Sequence, residues 1–259
     1  MSFYNGTLHI DTKFKKYEFA PHRSDDYITV QLPYFYDSNA QCPNWLKFLD
    51  EVTSHRKDAQ AVLQEFIGYI LYPDCTYQKA LLLKGSGSNG KSVFTSVIKS
   101  LFGDFGEEDT GYVSYAEPAK FGKDFRLMNL KDSWLNISSD TENNMVGGEG
   151  VIKKLIAGEV VEDSYKHKSP FLFKPRVKLI MCANTFPRTS DTSKGYLRRL
   201  IIIDFKQMFV EPDKIKEGFN QKPEDDSMNI ERLSDSISRI VVHFDDIPIA
   251  ALLSLFAGP

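Results

Sequence analysis

A glycine-rich loop in the first half of the sequence constrains the fold of this chain most strongly. It fits the pattern G-x-x-x-x-G-K-[ST] at every fixed position and consists of Gly85, Ser86, Gly87, Ser88, Asn89, Gly90, Lys91 and Ser92. Glycines allow the positive φ angles that turn successive amide N–H groups toward one point, and the dipole of a following helix favours a phosphate there. The apolar run Ala80–Leu83 predicts a strand before the loop, and apolar residues at helical spacing predict a helix after it: Val93, Phe94, Val97, Ile98, Leu101 and Phe102. We therefore expect a nucleotide-binding α/β core.

Two side chains at the end of this loop have specific predicted roles. Lys91 is expected to reach the β- and γ-phosphates of a nucleoside triphosphate, and the hydroxyl of Ser92 to bind Mg²⁺. The alternative is a flexible glycine loop with a chance lysine, and the strand and helix that flank the loop argue against it. ATP and Mg²⁺ are thus the predicted ligands.

Three further apolar segments predict the rest of the sheet, at Ser133–Ser138, Val177–Ala183 and Leu200–Phe205. Continuous apolar runs, such as Leu179-Ile180-Met181, suit strands that are buried on both faces. The sequence therefore predicts an α/β fold with a parallel central sheet.

Acidic side chains are the second requirement of ATP hydrolysis, because they hold the metal ion and polarise the attacking water. Asp140 and Glu142 follow the predicted strand Ser133–Ser138 and, two residues apart, would face the same way in an extended chain. Asp140 joins Ser92 as a candidate metal ligand and Glu142 is a candidate base, but the spacing leaves the two roles interchangeable. A solvated turn with two surface acids is the alternative.

Polar residues also flank the last two predicted strands. Asn184 ends the strand Val177–Ala183, where its amide is predicted to orient the attacking water and sense the γ-phosphate; the alternative is a turn residue before Pro187. Arg198 and Arg199 precede the next strand, and arginine neutralises the charge of a phosphoryl transition state, here from a neighbouring subunit. A surface pair at the start of a strand is the alternative for the arginines.

Residues 153–178 form a locally basic segment, with a charge of +4 from seven Lys/Arg against three acids. The seven are Lys153, Lys154, Lys166, Lys168, Lys174, Arg176 and Lys178. Val160–Tyr165 and Phe171–Phe173 predict a hairpin with Lys166, His167 and Lys168 at its tip. A basic tip with aromatic neighbours suits single-stranded DNA. Solvated lysines on a hairpin are the alternative.

The remaining segments complete the predicted organisation. Residues 1–40 form a lead-in with a β-rich run at Tyr27–Leu32, and residues 41–76 a small helical subdomain. The subdomain has two apolar stripes: Trp45, Leu46, Phe48, Leu49 and Val52, then Val62, Leu63, Phe66, Ile67 and Ile70. The ATPase core is expected at 77–210. Residues 211–259 have no assigned role; they begin as a polar loop, and the apolar run Ile240–Phe256 predicts a strand or helix that docks back.

Composition limits the partners and the compartment. A net charge of −3 over 259 residues restricts any nucleic-acid site to a local patch. No apolar run approaches the about 18 residues that span a bilayer, and Met1–Ile10 lacks the pattern of a signal peptide. Cys42, Cys75 and Cys182 form no CxxC pair, so we expect reduced thiols in a cytoplasmic protein, without a zinc site or disulfides.

The order of these features resembles that of the superfamily-3 helicases of the AAA+ class, and most of all the C-terminal helicase domain of phage and plasmid primase-helicases. The resemblance covers roughly residues 40–205. Its segments are Gln41–Trp45 with the helices after it, Gly85–Ser92, Ser138–Glu142, Gly158–Pro175, Ala183–Pro187 and Tyr196–Arg199.

The resemblance implies a role for each candidate residue. Lys91 and Ser92 correspond to the Walker A pair, Asp140 and Glu142 to the Walker B segment, and Asn184 to sensor 1. Arg198 or Arg199 corresponds to the arginine finger. Lys166, His167 and Lys168 would then grip DNA in the channel of a hexameric ring. The family implies ATP-driven unwinding of single-stranded or forked DNA, typically 3′→5′, during replication of a phage, plasmid or other mobile element in its host's cytoplasm.

The chain also departs from the family pattern. Many relatives have Glu at the position of Asp140, and the segment after Phe205 does not match the usual C-terminal part. Relatives usually carry a primase or primase-polymerase domain upstream, for which this chain has no room, so we expect an excised domain or a stand-alone motor. Two other functions remain open: a P-loop ATPase that acts as a replication initiator or loader without unwinding, and a nucleotide-gated assembly module.

Overall fold

A computed structural model describes the chain over residues 1–11, 16–28, 31–32, 34–40, 42–102, 112–121, 127–139, 148–164, 169–216 and 221–223. Several predicted features lie outside these residues: Asp140, Glu142, the hairpin tip Lys166, His167 and Lys168, and the apolar run Ile240–Phe256.

The N-terminal residues form an antiparallel sheet that the sequence analysis did not predict. Its strands are β1 (Ser2–Phe3), β2 (Gly6–Asp11) and β3 (Lys16–Ala20), with β2 in the middle. The predicted β-rich run from Tyr27 is corrected: among its described residues only Gln31 forms a bridge, with Ser2. Tyr27 has a φ of 49° and ends a short 3₁₀ turn, which interrupts the extended chain.

Two amphipathic helices follow at the predicted positions, α1 (Pro43–Val52) and α2 (Lys57–Ile70). Pro43 suits the first turn of α1, where its missing N–H would have no partner. The buried face of α1 packs on the rest of the core, and Trp45 stacks on Phe94 at 5.6 Å between ring centroids. Because the helices share this core, the division at residue 76 stays a prediction.

The central part of the chain alternates strands and helices. In chain order its elements are β4 (Ala80–Lys84), α3 (Lys91–Phe102), β5 (Val113–Ser114), β6 (Leu135–Ser138), α4 (Glu149–Ala157), β7 (Val161–Asp163), β8 (Phe171–Phe173), β9 (Lys178–Ala183), α5 (Lys194–Leu197) and β10 (Leu200–Asp204). Five of these strands form one sheet in the order β10-β4-β9-β6-β5, and every neighbouring pair is parallel. The predicted α/β fold with a parallel sheet is confirmed.

Alternate residues of the sheet point to two separate cores. In β4, Leu81 and Leu83 face one core, while Ala80 and Leu82 face the other. The first core contains the N-terminal sheet and helices α1, α2 and α3. The second contains α4, the base of the β7–β8 hairpin and the fully buried Tyr196. The hairpin and the first two helices therefore lie on opposite faces of the sheet.

The parallel arrangement determines where the candidate site can be. All five strands run in one direction, so the residues that follow them meet at one edge of the sheet. Since β9 lies between β4 and β6, the residue after β9 is flanked by the glycine-rich loop on one side and by the segment after β6 on the other. Beyond the sheet, β11 (Met208–Val210) pairs in parallel with β12 (Gln221–Pro223).

Candidate functional site

The glycine-rich loop has the backbone geometry that a phosphate site requires. Gly87, Ser88 and Gly90 have φ angles of 106°, 45° and 85°, all in the left-handed region. At Gly90 a Cβ atom would lie 2.8 Å from Cγ1 of Val52, so the approach of α1 also demands glycine. Nothing lies within 4 Å of a Cβ placed on Gly87, so that part of the loop is open. A cradle of amides at the start of α3 fits a phosphate group.

Three other segments hold the loop in place. The N–H of Gly85 donates to the carbonyl of Ala183 at 3.1 Å, which ties the loop to the end of β9. The side-chain amide of Asn89 donates to the carbonyl of Phe205 at 3.3 Å. The N–H of Phe209 in β11 donates to the carbonyl of Ser88 at 2.7 Å. The cradle is therefore preformed, and the segment after β10 forms part of its support.

Lys91 and Asn184 meet at the carboxyl edge of the sheet. The Lys91 ammonium donates to the Asn184 side-chain oxygen at 3.4 Å, to the Asn89 side-chain oxygen at 3.1 Å and to the Gly85 carbonyl at 2.5 Å. The structure thus brings together two residues that are 93 positions apart in the sequence. Ser92 is exposed at the second position of α3.

The candidate acids lie beyond the described end of β6. This strand is buried through Ser138, and the next residue, Ser139, is exposed. The chain therefore leaves the sheet at the same edge as the loop, one strand beyond Asn184. The roles of Asp140 and Glu142 stay predictions.

The two arginines lie at the opposite edge of the sheet from Lys91. The carbonyl of Arg199 accepts the N–H of Ala80 at 2.9 Å, beside the first residue of β4. The five residues of β4 span about 16 Å, so neither guanidinium is placed beside the glycine-rich loop of its own subunit. The structure therefore does not bring the two arginines and Lys91 together in one site within the described part of the chain.

The surroundings of the two arginines differ. Arg198 is exposed and donates to the side-chain oxygen of Gln78 at 3.1 Å. Arg199 is half-buried, donates to the Gly195 carbonyl, and its Nε atom has no hydrogen-bond partner among the described residues. Burial, followed by the charge of Arg198, lowers the pKa of the Arg199 guanidinium. Arg198 is therefore the more accessible of the pair.

The predicted hairpin is confirmed at its base. β7 and β8 are antiparallel, with Val161 opposite Phe173, and both of these residues are buried in the second core. The carboxylate of Asp163 accepts the N–H groups of Leu127 and Met128, both at 2.8 Å. The outward-facing Leu172 is 67% exposed. The base of the hairpin is thus anchored to the second core and to the segment around Leu127.

The basic segment predicted from the sequence needs one correction, because Lys178 is not a surface charge. It is 1% exposed at the start of β9 and donates to the carbonyls of Tyr72 and Arg176. Burial lowers its pKa to about 8. Charge counting missed this because it cannot distinguish a solvated lysine from one that is buried and donates to backbone carbonyls.

The low pKa of Lys178 predicts that the protein gains stability as the pH rises above about 8. The folded-state pKa of about 8 lies below the ordinary value of 10.5, so the unfolded chain binds more protons between these values. We expect the free energy of unfolding in urea to increase between pH of about 8 and 9.5, and Lys178→Met to remove that increase. Lys174→Met, at an exposed lysine nearby, should keep it. An identical pH profile in wild type and Lys178→Met would contradict the assignment.

Sequence reasoning missed one polar cluster. It joins α4 to the loop between β9 and β10 and consists of Glu149, Lys153, Thr189, Ser190 and Asp191. The sequence contains one indication of this cluster: Glu149 and Lys153 are four residues apart, which places them on one face of a helix.

The described residues also bear on the predictions for cysteines, metal sites and membrane-spanning segments. No disulfide joins Cys42, Cys75 and Cys182 in the described part of the chain, and their redox state stays a prediction. In the part of the chain that is described, no three His, Cys, Asp or Glu side chains gather as a metal site. Within the same residues, no helix has the length and apolar character to cross a membrane.

Comparison with known families and proteins gives matches in two separate segments of the chain. Residues 1–54 match the family described as D5 N terminal like, and residues 83–199 match one described as Family of unknown function (DUF5906). Over 130 residues the chain is 25% identical to the protein named Putative helicase L207/L206 of Acanthamoeba polyphaga mimivirus. That match covers 50% of this chain and 14% of the mimivirus protein.

Solved structures share the fold. An apo structure of the NrS-1 C terminal region aligns with a TM-score of 0.56 at 12% identity, over 97% of this chain and 58% of that chain. A second apo structure of the same region aligns with a TM-score of 0.56 at 13% identity, over 80% and 48%. The chain thus spans a small part of the mimivirus protein and about half of the NrS-1 region. By sequence it is related to a putative helicase, and by fold it has a P-loop-like α/β core.

Proposed function

We propose that this chain is the motor part of an ATP-dependent DNA helicase of superfamily 3, with an AAA+ core, that acts in the replication of a phage, plasmid or other mobile element. The observation that carries the proposal is the contact between Lys91 and Asn184, 3.4 Å apart beside a preformed phosphate cradle. The helicase-like relative and the D5-type N-terminal match support the same conclusion.

The residues around the cradle suit binding and hydrolysis of ATP. Lys91 would bind the β- and γ-phosphates. Ser92 and Asp140 would together hold Mg²⁺. When bound, Mg²⁺ neutralises phosphate charge. Asp140 and Glu142 would polarise the attacking water, and Asn184 would orient it. In this mechanism a second positive charge joins that of Lys91 in the transition state, and the chain's own Arg198 and Arg199 lie at the other edge of the sheet.

A ring of subunits, proposed as a hexamer, completes the site. In such a ring an arginine at the amino edge of one sheet lies against the glycine-rich loop of the next subunit. The hairpins would then line a central channel, where Lys166, His167 and Lys168 bind one DNA strand and move it with a 3′→5′ polarity. We place this motor in the cytoplasm of the host, with a primase-polymerase as an attached domain or partner.

DNA-stimulated ATP hydrolysis tests the DNA-binding half of this proposal. Lys166→Ala/Lys168→Ala should abolish the stimulation by single-stranded DNA while DNA-free hydrolysis continues, because the cations that contact the backbone are lost. The matched control is Lys47→Ala/Lys57→Ala, which removes two exposed lysines on the opposite face of the sheet. Equal loss of stimulation in both double variants would contradict a specific role of the hairpin.

Strand displacement separates the helicase from the alternatives. A chain that hydrolyses ATP in response to DNA but displaces no strand would be a replication initiator or loader. A chain whose hydrolysis ignores DNA would be an assembly module, and both outcomes would overturn the proposal.

A further inference from the structure

A buried carboxylate at the N-terminus of α4 attaches this helix to the loop between β9 and β10. One oxygen of Glu149, the first residue of the helix, accepts three hydrogen bonds: from the Ser190 N–H at 2.9 Å, the Ser190 hydroxyl at 2.9 Å and the Thr189 hydroxyl at 3.2 Å. Glu149 is 6% exposed. A buried carboxylate is costly unless it is paired, and these three donors come from the loop between β9 and β10.

A second contact lies one turn further along the same face of α4. The Lys153 ammonium pairs with the Asp191 carboxylate at 2.7 Å. The other oxygen of Asp191 accepts the Ser193 N–H at 2.9 Å, and Ser193 caps α5. The Lys153 ammonium, followed by Ser193, lowers the pKa of Asp191 to about 2. The loop is thus fixed to α4 at two successive turns.

The loop between β9 and β10 and the helix α4 connect to different functional regions of the proposed motor. The loop begins at Asn184, beside Lys91, and ends at the arginine pair. The helix ends at Gly158, which has a φ of 63°, and continues directly into the hairpin. The buried face of α4 packs in one core with Val161 and Phe173 of the hairpin base. The helix and the hairpin base therefore form one packed unit whose other end is tied to the loop after Asn184.

We propose that α4 is the lever that couples phosphate sensing at Asn184 to movement of the DNA-binding hairpin, with Glu149 and Lys153 as positioning residues that attach it to the sensing loop. The inference rests on the proposed function. A helix of nine residues is about 14 Å long and stiff, so a displacement of the loop at its start is carried to the hairpin at its end. Both residues are bonded to the loop after β9, and neither is among the residues proposed above to bind nucleotide or DNA.

The test measures base pairs unwound per ATP hydrolysed, a ratio that a purely structural role would not change. Lys153→Met keeps the side-chain stem and removes the ammonium, and should lower this ratio about threefold to tenfold. Lys153→Arg restores a donor to Asp191 and should restore the ratio. Lys154→Met is the matched control, because Lys154 is the adjacent, exposed lysine on another face of α4. Ser190→Ala removes one of the three bonds to Glu149 and should lower the ratio independently.

Each outcome decides the inference. A fall in Lys153→Met and Ser190→Ala, with rescue by arginine and an unchanged melting temperature, supports the lever. If wild type unwinds DNA and Lys153→Met has the same ratio as Lys154→Met, the lever is overturned while the helicase stands. If wild type unwinds no DNA, whether or not DNA stimulates its ATP hydrolysis, the proposed function fails and the lever fails with it.

Discussion

Lys91→Ala is expected to lower ATP hydrolysis at least about 100-fold, because it removes the cation placed to stabilise charge on the transferred phosphoryl group. In the structure this ammonium is the centre of the site, where it donates to the loop and to Asn184. The turnover number at saturating ATP and Mg²⁺ is the measurement.

The matched control for this variant is Lys99→Ala, at a lysine in the last turn of the same helix. It should keep nearly full hydrolysis, and both variants should keep the circular dichroism spectrum and melting temperature of a folded chain. If Lys91→Ala remained folded and hydrolysed ATP at the wild-type rate, the assignment of the whole site would be wrong.

Replacement of the arginine proposed as the finger is expected to have the second large effect. Fingers of this kind contribute about 10³- to 10⁵-fold to turnover. Arg198 is exposed while Arg199 is half-buried and bonded to Gly195, so we expect the larger loss in Arg198→Ala. The turnover numbers of the two single variants decide between them.

A mixing experiment distinguishes a finger in trans from one in cis. Lys91→Ala subunits keep their arginine, and Arg198→Ala subunits keep their lysine, so a mixed ring contains some sites that are complete. Two inactive preparations should therefore regain hydrolysis when combined. The separation of about 16 Å along β4 predicts this complementation. No recovery, in mixtures shown to form joint oligomers, would contradict the trans arrangement.

The elements with strong local signals could be predicted from the sequence. β4, β9 and β10 are continuous apolar runs, and they form strands within one residue of the predicted bounds. The two N-terminal helices follow their apolar stripes because the spacing of such stripes matches the turn of a helix. The parallel sheet was expected for the same reason, since runs of this kind are buried on both faces.

The features that depend on long-range packing were not predictable in the same way. The strand order that inserts β9 between β4 and β6 comes from pairing across distant segments, and it places Asn184 directly beside Lys91. Lys178 was counted with the basic hairpin, because only the fold shows that it is buried. The strands at Ser2–Ala20 were missed, since the short runs that form them are too weakly patterned to distinguish from a polar lead-in.

The polar cluster on α4 could not be predicted for the same reason, because its contacts depend on long-range packing. Glu149 and Lys153 have the spacing of one helix face, but their partners lie about 40 positions away in a loop without a motif. Motif reasoning gave candidate residues for contact with nucleotide and DNA, and it had no means to find the polar cluster on α4.

The central claim is that ATP hydrolysis at the Lys91 site drives movement on DNA, and displacement of a labelled strand from a forked duplex tests it most directly. The wild-type chain, assembled with ATP and Mg²⁺, should displace the strand; it should not do so with a non-hydrolysable ATP analogue or when Lys91 is replaced by alanine. Displacement that continues in the Lys91→Ala variant, or ATP hydrolysis by wild type without any displacement, would contradict the account.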